Sequence, residues 1–157
     1  MELFQKEFMD RAIALSHEAI AQGGGPFGAV IVKNGKIVGE GRNRVVPNSD
    51  PTAHAEVMAI RDAAKHNNHP WLEGCILYTS CEPCPLCLSA MYWAHIDSFY
   101  YANTRDEAAS IGFDDAFIYE QIPLLPSDRK MPGLHVASVD AIGVFSRWAT
   151  HEGRVHY

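Results

Sequence analysis

The stretch Phe27-Gly28-Ala29-Val30-Ile31-Val32-Lys33-Asn34-Gly35-Lys36-Ile37-Val38-Gly39-Glu40-Gly41-Arg42 decides the fold. Two apolar runs, 27–33 and 36–42, flank Asn34-Gly35. Asn-Gly between apolar runs is a strong hairpin signal, because both central residues of the tight turn take positive φ. Upstream, residues 3–21 place Phe4, Phe8, Ile13, Leu15, Ala19 and Ile20 at roughly helical spacing. Gly23-Gly24-Gly25-Pro26 ends that helix. Downstream, the pattern predicts a helix over about 53–66, a strand at Cys75–Thr79, a helix from about Cys84 to Ala94 and a strand at Ser98–Ala102. A short helix at Thr104–Ser110 and an irregular segment 111–132 follow. Leu134–Val139 reads as the last strand, and 140–151 as the last helix, with Ile142, Phe145 and Trp148 on one face. A hairpin followed by alternating helix and strand implies a mixed sheet with helices on both faces. Ligands of open α/β sheets bind at the carboxyl ends of strands. Asn43 and Cys81–Cys87 fall there.

The chain has 157 residues, enough for one domain around one core. It is 47% hydrophobic and 20% charged, a globular balance that excludes disorder. The longest apolar runs, such as Phe27–Val32, are too short to span a bilayer. Glu2, Glu7 and Asp10 interrupt the stretch where a secretion signal would be uniformly apolar, so a cytoplasmic location is expected. The net charge of −6, without a basic run, argues against a phosphate backbone as partner and for a small uncharged substrate. Three of the four cysteines, Cys81, Cys84 and Cys87, lie within seven residues, with Cys75 nearby and none distant. That clustering points to metal or redox chemistry rather than a disulfide framework.

The chemistry-bearing constellation is His54-Ala55-Glu56 with Pro83-Cys84-Pro85-Leu86-Cys87. Cys84 and Cys87, three apart at a helix start, can turn both sulfurs to one side of the first turn, with Pro83 leading into it. The free N–H groups of that turn favour thiolate over thiol. Two thiolates and an imidazole suit zinc, and three protein ligands leave the fourth tetrahedral position open, as in catalytic sites. Zinc lowers the pKa of bound water from about 15.7 to about 7, and Glu56 is placed to move the protons. Other readings compete. The C-x-x-C pair alone fits redox chemistry. An iron–sulfur run fails because Met91 and Tyr92 stand where a fourth cysteine and proline belong. His54 alone could be a helix cap or core histidine, and the metal could be structural only.

The signature H-x-E…P-C-x-x-C is that of zinc base deaminases. Around it, Gly28-Ala29-Val30, Asn43, Asp50-Pro51-Thr52-Ala53-His54-Ala55-Glu56 and Glu82-Pro83-Cys84 resemble the cytidine and deoxycytidylate deaminase superfamily, over about residues 7 to 120. Gly24–Val30, Tyr78–Cys84, Met91-Tyr92-Trp93-Ala94, Gly112-Phe113-Asp114-Asp115 and Tyr157 resemble its short bacterial guanine deaminases. The resemblance implies a three-layer α/β/α sandwich with a five-stranded mixed sheet. It implies one zinc-dependent domain over residues 1–157 and one zinc per chain. It further implies a homodimer in which the segment from about 140 to 157 is exchanged, so that Tyr157 closes the partner's site.

The same resemblance implies hydrolysis of guanine to xanthine and ammonia, with Glu56 carrying protons at the zinc held by His54, Cys84 and Cys87. Guanosine, cytosine, an aminotriazine or a tRNA adenosine remain as alternative substrates. Asp115 would accept from the N1–H and 2-amino group of guanine, making it both catalytic and substrate-binding. The bare alternative is that Asp114-Asp115 caps a helix at 116–120, and Asp114 keeps that role. Asn43 would pair with the other purine edge, or simply turn the chain after its strand. Phe27 and Trp93 would sandwich the base, or serve as core. Cys81 is expected beside the site without a metal bond, and Cys75 in a buried strand. The Glu82 backbone and the Cys84 helix start are expected to offer N–H groups to developing charge.

Overall fold

Asn34 and Gly35 do take positive φ, 51° and 69°, in the turn between β1 (Gly28–Lys33) and β2 (Lys36–Arg42). The computed structural model describes residues 3–156, in two compact units whose boundary falls between Ala116 and Phe117. In the first unit, α1 (Lys6–Ala21) precedes the hairpin. Then come α2 (Val45–Asn48), α3 (Ala55–Asn67), β3 (Cys75–Cys81), α4 (Pro85–Trp93), β4 (Ser98–Asn103) and α5 (Arg105–Ser110). The sheet order is β2-β1-β3-β4. β1 runs antiparallel to both neighbours, and β3 pairs parallel with β4.

Alternation along the strands divides the core in two. Ala29, Ile31, Cys75 and Leu77 face one way, with Ala55, Ala59 and Ala63 of α3 and Met91 of α4. Val30, Val32, Ile76 and Tyr78 face the other way, with Phe8, Met9 and Leu15 of α1. Period-2 side chains from one strand thus feed two helical layers. The buried face of α1 is Phe8, Met9, Ala12, Leu15, Ser16 and Ala19, whereas Ile13 and Ile20 are exposed. Their sequence spacing matched a helix, but not the stripe that meets the sheet.

The pairing directions decide where the site can be. Gly28 pairs with Arg42, Ala29 with Thr79, and Cys81 with Asn103. The start of β1, the end of β2, and the ends of β3 and β4 therefore share one edge of the sheet. Phe27, Asn43, the Glu82–Cys87 turn and the approach to α5 are gathered there. On the α3 side, β2 presents Gly39 and Gly41. A Cβ on Gly39 would stand 2.6 Å from Ala59 O, and one on Gly41 would collide with Ala55 O and Ala59 N. The glycines let the backbone of α3 lie directly on β2.

The second unit contains α6 (Ala116–Gln121), which begins at the boundary, a 3₁₀ turn (Pro126–Asp128) and α7 (Val139–Ala149). The expected strand Leu134–Val139 is absent, and among the described residues the sheet has four strands rather than five. A strand exists only through its ladder, and residues 134–138 pair with none. Ser138 instead accepts from Ala141 N–H at 3.2 Å as the N-cap of α7, which makes Val139 helical. The short α2 was not expected from the sequence. No helix among the described residues is long and apolar enough to cross a membrane.

Candidate metal and catalytic site

His54 is the N-cap of α3, in extended conformation, and Glu56 lies in the first turn behind it. Cys84 is the N-cap of α4 and Pro85 its first helical residue, so Pro85 rather than Pro83 takes the position that lacks a needed N–H. Cys87 follows one turn on. These termini bring three ligand atoms together. His54 Nδ1 lies 3.5 Å from Cys84 Sγ and 3.4 Å from Cys87 Sγ, and the sulfurs are 3.6 Å apart. Tetrahedral zinc with Zn–S of about 2.3 Å and Zn–N of about 2.0–2.1 Å requires S···S near about 3.8 Å and N···S near about 3.6 Å. The triangle fits zinc to within about 0.2 Å, the tolerance of a real site. Only these three residues form such a group among those described.

The titration of the cluster is that of a ligand set. The Cys84 thiol is pulled down to about 4, chiefly by the hydrogen bond from the Cys87 thiol and, against burial, by His54. Cys87 is pushed up, because it holds the proton shared with Cys84 and is itself buried. His54 is raised, first by its bond to Cys84. A dication bound here would hold both sulfurs as thiolates and the imidazole in its neutral form, so binding would release the protons this cluster carries.

Glu56 is 6% exposed. Its Oε2 lies 3.3 Å from Cys87 Sγ and its Oε1 3.4 Å from Thr79 Oγ1. Burial raises its pKa above the usual carboxylate range. Cys81 is buried on β3, but its thiol turns to Thr104 O at 3.8 Å, and burial pushes it up to about 11. Cys75 is buried at the start of β3.

Asn43 is buried, and its Oδ1 accepts from Gly25 N–H at 3.1 Å and Val45 N–H at 3.3 Å. Its acceptor is therefore spent on backbone, and the amide nitrogen is what it can present. Phe27 is half-buried, with its ring edge-on to Phe113 at 4.9 Å. Phe113 brings the Gly112–Asp115 stretch to the same sheet edge, an aromatic role that sequence reading missed. Ala116 N–H donates to Asp114 Oδ1 at 2.9 Å. Asp115 is half-buried. Burial raises its pKa, Arg105 opposes that, and the Cys84 charge adds to it. Trp93, the last residue of α4, is 63% exposed, and Tyr157 lies outside the described residues. The Glu82 N–H is not free for developing charge, since it donates to Asn103 O at 2.8 Å. Glu82 Oε2 also accepts from Arg105 N–H at 3.1 Å, so this residue ties the exit of β3 to α5. The Thr79–Glu56 bond had no sequence signal beyond a polar residue inside an apolar strand.

Residues 3–103 match the family model described as the cytidine and deoxycytidylate deaminase zinc-binding region. The chain is 47% identical over 151 residues to a guanine deaminase of Bacillus subtilis strain 168, covering 96% of this chain and 97% of that one. It superposes on an X-ray structure of guanine deaminase from Bacillus subtilis with a TM-score of 0.94 and 46% identity, over 99% of both chains. It is also 39% identical over 95 residues to a tRNA-specific adenosine deaminase of Aquifex aeolicus, covering 60% of this chain and 63% of that one. With the His/Cys/Cys triangle and its buried glutamate at the motif, this chain belongs to the cytidine and deoxycytidylate deaminase family.

Proposed function

We propose that this protein is a zinc-dependent guanine deaminase, converting guanine and water to xanthine and ammonia. The observation that carries the reading is the zinc-sized His54–Cys84–Cys87 triangle with Glu56 buried against it. Similarity to a guanine deaminase over nearly the whole chain supports the choice of base. Bound zinc, one per chain, supplies a Lewis acid that makes water nucleophilic near neutral pH. The chain's own residues do the rest. Glu56 takes the proton of the attacking water, delivers one to ring N3, and helps protonate the amine leaving C2. Asp115 accepts from N1–H and the 2-amino group. Asn43, whose acceptor is occupied, donates its amide N–H to an acceptor on the opposite purine edge. Phe27 flanks the base; Trp93, exposed at the opposite end of α4 from Cys84, would reach a base only in the partner's site.

We read residues 1–157 as one catalytic domain acting as a homodimer in the cytoplasm, with the segment from about 140 exchanged and Tyr157 closing the partner's site. The apolar face of α7 supports this: Ile142, Phe145 and Trp148 are all exposed within the chain, Phe145 by 80%. The net charge of −6 favours a free base over tRNA. Ammonia release is measured from guanine, guanosine, cytosine, an aminotriazine and a tRNA anticodon stem. Guanine is expected to be turned over fastest, and release from another substrate alone overturns the assignment.

A further inference from the structure

We propose that Thr79 is a positioning residue that fixes the carboxylate plane of Glu56. Thr79 sits inside β3, a strand buried from Cys75 to Cys81, and is itself 0% exposed. Its face of the strand is the α3 side, where Cys75 and Leu77 are packed among alanines. An apolar β-branched residue would serve packing there equally well. A hydroxyl at zero exposure is costly to leave unbonded. The bond goes to Glu56 Oε1.

The two carboxylate oxygens therefore have different neighbours, Oε1 the Thr79 hydroxyl and Oε2 the Cys87 sulfur. Cys87 donates only while it is a thiol, and as a metal ligand it has no proton to give. Thr79 then remains as the side-chain donor to this carboxylate. The terminal torsion of a glutamate is broad, so a carboxylate held at the helix start but lacking this hydroxyl samples orientations in which its oxygens miss the transferring proton. Displacement of a reacting group by about 1 Å costs about 10²-fold in rate. This role rests on Glu56 being the proton carrier.

Thr79→Val, Thr79→Ser, Glu56→Gln and the double variant Glu56→Gln/Thr79→Val are compared by kcat and KM for guanine, zinc content and melting temperature. Thr79→Val is expected to lower kcat about 10- to 100-fold with KM within about 3-fold and zinc retained. Thr79→Ser, which keeps the hydroxyl, returns kcat to within about 3-fold of the parent. In the Glu56→Gln background, adding Thr79→Val changes the residual rate less than about 2-fold, because residues acting as a unit are non-additive. A parental kcat in Thr79→Val with an impaired Glu56→Gln overturns the positioning role alone. A parental kcat in Glu56→Gln overturns the proton-carrier reading and this proposal with it. Should Thr79→Val not accumulate as folded protein, Thr79→Ser against Thr79→Ala carries the same contrast, and equal kcat values overturn the proposal.

Discussion

Replacing Gly41 by alanine tests whether the glycine face of β2 sets the position of the metal site. The added Cβ would stand 3.0 Å from Ala59 Cα and collide with Ala55 O and Ala59 N. Ordinary carbon contacts lie at about 3.5–4.0 Å, so the first turn of α3 must retreat by about 1 Å. Ala55 stands between His54 and Glu56, and both move with it. Metal–ligand distances tolerate only about 0.2 Å, and a reacting group displaced by about 1 Å loses about 10²-fold. Overpacking of this kind costs about 1–3 kcal/mol, or about 2–12 °C in Tm for a chain of this size. Gly39→Ala meets Ala59 O and the Ala63 side chain at 2.6 Å, farther from the start of α3. Gly39→Ala is therefore expected to lower Tm similarly while retaining more zinc and more turnover. The assay is a thermal melt with and without chelator, zinc content by atomic spectroscopy, and kcat on guanine. If Gly41→Ala keeps parental Tm, zinc and kcat, the packing argument is wrong.

Zinc is expected to be lost in His54→Ala, Cys84→Ser and Cys87→Ser but kept in Cys81→Ser. A Cys81→Ser protein as empty as Cys84→Ser would refute the ligand set. Asp115→Asn is expected to lose most guanine turnover, up to about 10⁴-fold where a buried pairing becomes donor against donor, with zinc and Tm near parental. Asp114→Asn is expected to be mild, since Asp and Asn serve a helix start about equally, and full activity in Asp115→Asn would send guanine specificity elsewhere. Glu40 is held below the usual carboxylate range, first by its hydrogen bond from Arg11. A depressed carboxylate contributes stability that is present above its unfolded pKa and lost as pH falls through the folded one. Glu40→Gln should therefore lower Tm at pH 7 by the equivalent of at most about 1 kcal/mol, the pair being partly exposed. That gap should close below about pH 4, and a gap undiminished at pH 3 refutes it.

Local rules made much of this molecule legible. Asn34-Gly35 can only be a tight turn between those strands, and the spacing of His54, Glu56, Cys84 and Cys87 carries its own geometry. What was illegible depends on contacts distant in sequence. Residues 134–138 alternate like a strand, but alternation cannot tell whether a neighbouring edge is available, and here Ser138 caps α7 instead. Ile13 and Ile20 fit a helix, yet the stripe that meets the sheet is set by how α1 lies across β1. Asn43 offered a donor and an acceptor on paper. Only the fold reveals that Gly25 and Val45 consume the acceptor. The Glu82 N–H was lost to Asn103 in the same way, through pairing that continues past the end of β3.

Two of the three candidate ligands are N-cap residues, and that placement has chemical consequences. An N-cap has extended backbone, so its side chain leaves the helix axis, while the N–H groups of the following turn stay unpaired within the helix. Cys84 at the head of α4 therefore meets the positive end of a helix, which favours the thiolate that a metal requires. His54 at the head of α3 places its imidazole against the same sulfurs. Glu56, in the first turn of α3, is subject to two opposed influences. Burial raises its proton affinity, and backbone N–H at the helix start lowers it. The net effect is upward, so burial outweighs the helix start and Glu56 holds a proton more readily than an exposed carboxylate, in the direction that suits a group taking a proton from water and passing it to a leaving amine.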